Sequence, residues 1–343
     1  MKPIRLGFFS RLLDLAEPGE RYRLATEQIA CAERNLFDTA WVAQHHFVEN
    51  EGGLPAPFVF LAHVAAHTRR IRLGTGIVTL PMENPVRVAE DAAVFDLLSG
   101  GRLELGLGSG GTPSAFTSFG LDSARRGEIF GRHMDVVRSA FRGDPLGDSD
   151  NRLYPAAPQL LDRIWQATFS VAGGARAGEA GDGLMLSRSQ PRPPDAPDAS
   201  LADLQSPIID AYLAALPPGR EPRIMGSRSV LIADDGDEAR RLALIGLRRN
   251  RDRLRDGGRS VSGDTLEELL ATADSHVGTP REVIASLGTD RTLDRVTDLV
   301  FQVHSMDPPQ PYLLRSIELM AEQVAPAFGG QPQARSARLA AAG

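Results

Sequence analysis

One cysteine, Cys31, occurs in 343 residues. That excludes an internal disulfide and a thiolate metal cluster, and within "ATEQIACAERNLFD" the thiol reads as a small buried helix residue. No apolar run is long enough to span a bilayer. The opening "MKPIRLGFFSRLLD" is basic, but Ser10, Arg11 and Asp14 leave its apolar part too short for a cleavable signal, so the expected compartment is the cytoplasm. A sustained basic stripe is missing as well. The net charge is -6 with both signs interspersed, so nucleic acid is not an expected partner. Neither a His-Glu-x-x-His nor a Cys-x-x-Cys pairing occurs, and no metal is expected. A G-x-G-x-x-G turn after the first strand is also lacking, which counts against a doubly wound dinucleotide fold.

What is present is alternation. "IRLGFFS", "FDTAWVAQHH", "RIRLGTGIVTLP" and "RLELGLGSGG" read as strands, separated by helical stretches that begin at Pro18-Gly19, at "APFVFLAHVAAHT" and at Asn84-Pro85. Asn84 is placed to cap free amides, Pro85 suits a first helical position, and Gly100-Gly101 ends that helix. The pattern resumes with "RRGEIFGRHMDVVRSAFR" (helix), "RIWQATFS" and "GDGLMLSR" (strands), then "PRIMGSRSVLIA" and "VTDLVFQVH". About eight strand–helix pairs predict a (β/α)8 TIM barrel with insertions. Residues 1–328 form its single domain, and Gly329 to Gly343 is expected to be a disordered tail.

In such a barrel, function sits at the carboxyl ends of the strands. In "WVAQHHFVENEGG", strand alternation puts His45 and His46 on opposite faces. One histidine facing the mouth suits a general acid or base; a hydrogen-bonded residue at a strand end is the alternative. Gly74 and Gly76 suggest either close approach of backbone to a ligand or tight packing on a neighbouring strand. "LGLGSGG" exposes amides in a loop. In "FSVAGGARAGEAGDG", Ser170 caps a helix whose start bears only small residues, which suits a phosphate. Arg125 and Arg126 either reach that phosphate or are simply solvated.

These motifs, in this order, resemble the bacterial luciferase-like flavin monooxygenases. The likeness lies in "AQHHF", "LGTGIVTLPMENPVRVAED", "DLLSGGRLELGLGSGG", the phosphate segment and the closing "ELMAEQVAP", and it thins between Gln190 and Thr279. It implies a barrel that binds FMN at its mouth, with His45 catalytic. Gly76 and Ile77 would form a non-prolyl cis peptide under the flavin. Gly108 and Ser109 would lie beside the ring, and Ser170, Gly173 and Arg126 at its phosphate. The implied activity is a two-component monooxygenase, in which a flavin reductase supplies reduced FMN and dioxygen oxygenates a small organic substrate. A deazaflavin-dependent hydride transferase and a non-catalytic flavin-binding subunit are the alternatives. The resemblance also implies a homodimer and a mobile lid within Asn250 to Gly278. Three departures stand out. Gln44 replaces a common glutamate, which is expected to leave His45 differently tuned, and Gly173 replaces a hydroxyl residue. Ser109 stands where true luciferases carry arginine, so light emission is not expected.

Overall fold

The computed structural model describes residues 4–256, 261 and 263–330. The chain runs through β1 (Arg5–Ser10), α1 (Pro18–Arg34), β2 (Thr39–Val42), α2 (Pro57–His67), β3 (Arg72–Thr75), β4 (Val78–Thr79), α3 (Pro85–Leu98) and β5 (Leu103–Gly108). It continues through α4 (Pro113–Ser118), α5 (Arg126–Arg142), β6 (Ile164–Ala167), α6 (Val171–Glu179), β7 (Gly183–Leu186), α7 (Leu201–Ala215) and β8 (Ile224–Ile232). Then come α8 (Gly236–Asp256), α9 (Leu266–Thr272), β9 (Ser275–Gly278), α10 (Pro280–Leu287), β10 (Asp298–Gln302) and α11 (Gln310–Leu319).

All the strand pairings are parallel. β1, β2, β3, β5, β6, β7, β8 and β10 pair in that order, and β10 pairs back onto β1. The result is the closed (β/α)8 barrel that the alternation predicts. β4 adds to the edge of β5, and β9 lies against the second half of β8.

Local chemistry explains the boundaries. The Asn84 side chain accepts from the amides of Val86 and Arg87 at 3.0 and 3.3 Å, with Pro85 at the first helical position. Gly100 and Gly101, at φ 70° and 81°, turn the chain out of α3. The sequence reading passed over α7, where Pro207 interrupts an otherwise helical pattern. Ser200 and Asp203 start it with a reciprocal capping box, a signal that was present in "SLAD". The stretch expected to be a lid is largely regular: it holds the end of α8, all of α9 and β9. Its residues 257–260 and 262, and the expected tail beyond Gly330, lie outside the described residues.

Inside the barrel, Trp41 and Trp165 meet edge to face at 5.6 Å, packed with Met185, Met225 and Val300. One end is closed by charge. Glu104 is buried, accepts from Trp165 Nε1 at 2.7 Å, and pairs with Arg72 at 2.6 Å and Arg5 at 3.5 Å. Arg5 also reaches Asp298 at 3.4 Å. Arg5, Arg72 and Asp298 are the first residues of β1, β3 and β10, and Glu104 the second of β5. The open end is therefore the carboxyl end.

Candidate active site

β2 ends at Val42, so His45 and His46 belong to the irregular segment beyond it, and strand alternation does not govern them. The His45 amide donates to the Leu54 carbonyl at 3.0 Å. Its Nε2 lies 3.0 Å from an Arg11 guanidinium nitrogen. A guanidinium only donates, so Nε2 carries the lone pair and Nδ1 the proton. Burial, followed by the charges of Arg11 and His304, holds the imidazole neutral with a pKa of about 3. Nδ1 is buried without a hydrogen-bond partner, and the backbone of Gly52 packs on it. A Cβ at Gly52 would sit 2.4 Å from Nδ1. Only glycine leaves room for the ring there.

His46 does something different. Its ring packs edge-on against Phe119 at 4.9 Å, and Nε2 is buried without a partner. Gln44, buried, turns away from His45. Its Nε2 donates to Glu83 Oε1 at 2.7 Å and to the Pro55 carbonyl at 3.1 Å, and its Oε1 accepts from the Thr79 amide at 2.7 Å. A glutamate here would face the Glu83 carboxylate. The expectation that Gln44 tunes His45 is therefore corrected: burial and Arg11 do so.

The Gly76–Ile77 peptide is cis. Gly74 and Gly76 resolve toward packing, because a Cβ would lie 2.3 Å from the Trp41 ring at the first and 2.5 Å from Phe9 at the second. Gly108 takes the Ile77 side chain in the same way, at 2.3 Å. The outcome is an apolar floor of half-buried Phe9, Ile77 and Ala167 above the tryptophan pair. Ser109, half-buried, follows directly after β5.

Ser170 caps α6, accepting from the Gly173 amide at 3.1 Å. Thr168 Oγ1 lies 3.3 Å from Ser170 Oγ and accepts from the Ser170 amide at 3.1 Å. A Cβ at Gly173 would fall 2.0 Å from Thr168 Oγ1. Thr168 therefore sets a hydroxyl in the space a side chain at position 173 would fill, a residue that sequence reasoning missed. Arg126 is not brought into this cluster: it is exposed and donates to the Ser123 carbonyl at 3.0 Å. The nearer cation is Arg176, over the Phe130 ring at 5.1 Å and donating to Gln166 at 2.9 Å.

A cavity of about 380 Å³ opens beside His45, with Arg11, Arg188, Arg253 and His304 in its wall. Neutral His304 is paired through Nδ1 with charged Asp307 at 2.8 Å; burial leads in keeping the imidazole uncharged. Asp307 stays below the usual carboxylate range because His304, Arg249 and Arg11 outweigh its burial. Arg11, Arg188 and His304 were also missed. Each stands within two residues of the end of a barrel strand, which is the signal that would have found them. Among the described residues no group of three His, Cys, Asp or Glu is placed to hold a metal, and no helix is long and apolar enough to cross a membrane.

The profile of luciferase-like monooxygenases matches residues 7–293. The chain belongs to that family. Among relatives, it is 30% identical to 4-hydroxyprotoasukamycin monooxygenase of Streptomyces nodosus subsp. asukaensis, covering 96% of this chain and 94% of that one. Among solved structures, monooxygenase RslO1 from Streptomyces bottropensis superposes with a TM-score of 0.77 at 28% identity, over 95% and 100% of the two chains. The oxygenating constituent of 3,6-diketocamphane monooxygenase from Pseudomonas putida, solved with FMN, has a TM-score of 0.73 over 94% and 98%; at 18% identity it supports the fold alone.

Proposed function

We propose that this luciferase-like protein is the oxygenase of a two-component system, taking reduced FMN from a separate reductase and oxygenating a small organic substrate with dioxygen. The observation that carries the reading is a neutral imidazole, His45, in the wall of the mouth cavity, in a barrel that also carries an apolar floor of Phe9, Ile77 and Ala167 over its tryptophan pair. The residues present fit FMN. The floor suits a flat ring, with Gly76, Ile77, Gly108 and Ser109 along it. The hydroxyls of Thr168 and Ser170, with the first-turn amides of α6 around Gly173, suit its phosphate. Bound reduced flavin supplies the electrons that activate dioxygen.

The chain's own groups bind, orient and move protons. His45 takes or returns a proton at Nε2 whenever Arg11 donates elsewhere. Exposed Val59 on α2 and Val94, Leu97 and Leu98 on α3 support a homodimer through the early helices. The test combines purified protein, FMN, NADH and a flavin reductase. Oxygen uptake should track substrate oxygenation. His45→Ala should retain FMN and lose coupled turnover by about 10²–10⁴-fold. An unaffected variant removes His45 from the chemistry, and a co-purified deazaflavin found by mass spectrometry overturns FMN. Absence of turnover with any reductase would leave a flavin-binding subunit.

A further inference from the structure

Two cations in the mouth, Arg11 and Arg188, have carboxylates nearby but none in direct contact among the described residues. Arg11 donates to the His45 ring and to the Glu51 carbonyl, both neutral, and its Nε is buried with no partner at all. Arg188 donates to the Ser229 hydroxyl at 3.2 Å. Neither makes an ion pair with a carboxylate among the described residues. The nearby acids act on them only from a distance: Asp307 is hydrogen-bonded to neutral His304 at 2.8 Å, and Asp274 pairs with Arg192 at 2.6 Å. Glu51 accepts from the Thr112 hydroxyl at 3.3 Å. Both arginines line the same cavity of about 380 Å³, whose lining also includes Glu51 and the leucines Leu247, Leu254 and Leu269. That volume falls within the range of small-molecule sites.

Two half-buried guanidinium groups in one cavity repel each other, and without a directly paired counter-charge that arrangement is costly. Surroundings lower Arg11 to about 9 and Arg188 to about 10, chiefly by burial, so both stay charged at neutral pH. Asp307 offsets them only from a distance, so a directly contacting negative charge is expected to arrive with the ligand.

We infer that this cavity binds an organic carboxylate, its charge held by Arg11 and Arg188 and its apolar body against the lining leucines; the inference rests on the oxygenase reading above and names its substrate class. The planar guanidinium forks match a carboxylate in two-point contact. The phosphate-type cradle of Thr168 and Ser170 follows β6, whereas Arg11 and Arg188 follow β1 and β7 and share a cavity with His45. A carboxylate would also draw Arg11 off His45 Nε2, leaving that lone pair free for a proton.

The test is calorimetry on the full chain with octanoate and benzoate against octanamide and benzamide. The acids should bind at least about tenfold more tightly than their amides. That preference should shrink as salt rises from about 50 to 500 mM. Arg188→Gln should weaken acid binding about tenfold or more while FMN affinity holds, and Arg188→Lys should restore part of it. Equal binding of acids and amides by the unmodified protein overturns the inference, whatever the variants do. So does the absence of binding by either acid. If inorganic phosphate competes as well as benzoate and Arg188→Gln weakens FMN equally, the cations belong to the cofactor phosphate and the inference falls. The two readings fail separately. Acid-selective binding without oxygen turnover keeps the carboxylate site and removes the oxygenase; turnover with neutral substrates alone does the reverse.

Discussion

His45 is defined by what presses on it. Arg11 fixes the lone pair on Nε2, and the bare backbone of Gly52 fixes the plane of the ring. Gly52→Ala should therefore act through position. A methyl 2.4 Å from Nδ1 forces the ring aside, and a displacement of about 1 Å at a catalytic group costs up to about 10²-fold in rate. FMN affinity should hardly change, because Gly52 touches neither the floor nor the α6 cradle. Steady-state oxygen uptake with parallel FMN titration checks this; a variant with undiminished turnover would show that the ring is not clamped. Thr168 Oγ1 occupies the space a side chain at 173 would fill, so under the proposed function a hydroxyl five positions earlier would serve the cradle.

At the scale of elements, strand starts and strand ends do different work. The starts of β1, β3, β5 and β10 carry Arg5, Arg72, Glu104 and Asp298, which join as a charged plug. Burial alone would raise the Glu104 carboxyl, but Arg72 and Arg5 outweigh it and hold it below the usual range. Glu104→Gln would leave these arginines facing a neutral amide. They keep some contact with water, so the expected loss is about 2–3 kcal/mol, at or below the low end for a fully buried pair. Urea unfolding with an unchanged m-value measures it; a loss under about 0.5 kcal/mol would mean the plug contributes little. Strand ends carry chemistry. Ser10-Arg11, Ser187-Arg188 and Val303-His304 each place a polar group just past a buried run, and all three converge on one cavity.

For the whole molecule, the buried histidines set the response to acid. His45 and His304 are held at about 3 and His276 at about 4, burial leading in all three, against 6.5 in an unfolded chain. Between those values the unfolded state binds more protons. Stability is then complete above pH 6.5 and declines as pH falls, by up to about 1.4 kcal/mol per pH unit for each histidine. Asp182, raised by burial to about 6, works in the opposite sense between about pH 4 and 6, offsetting one of them. The net expectation is a melting temperature that drops from pH 7 to pH 5, with a shallower slope in His276→Gln. A flat profile would contradict the neutral assignment.

The linear pattern by itself determined the alternation of strands and helices, the caps at Asn84 and Ser170, and the small-residue start of α6. These depend on residues within one or two helical turns of each other, so spacing carries them. It also brought forward Gly76, Gly108 and Ser170, and the family resemblance added Ile77 and chose His45 over His46. Tertiary structure decided what they touch. Arg11 and His45 are 34 positions apart, and Arg188 and Ser229 are 41 apart. Only closure of β10 onto β1 sets the carboxyl ends around one mouth. Whether a glycine makes room for a ligand or for Trp41, and whether Gln44 faces His45 or Glu83, depends on neighbours from other strands. No local spacing encodes those neighbours, so packing alone assigned them.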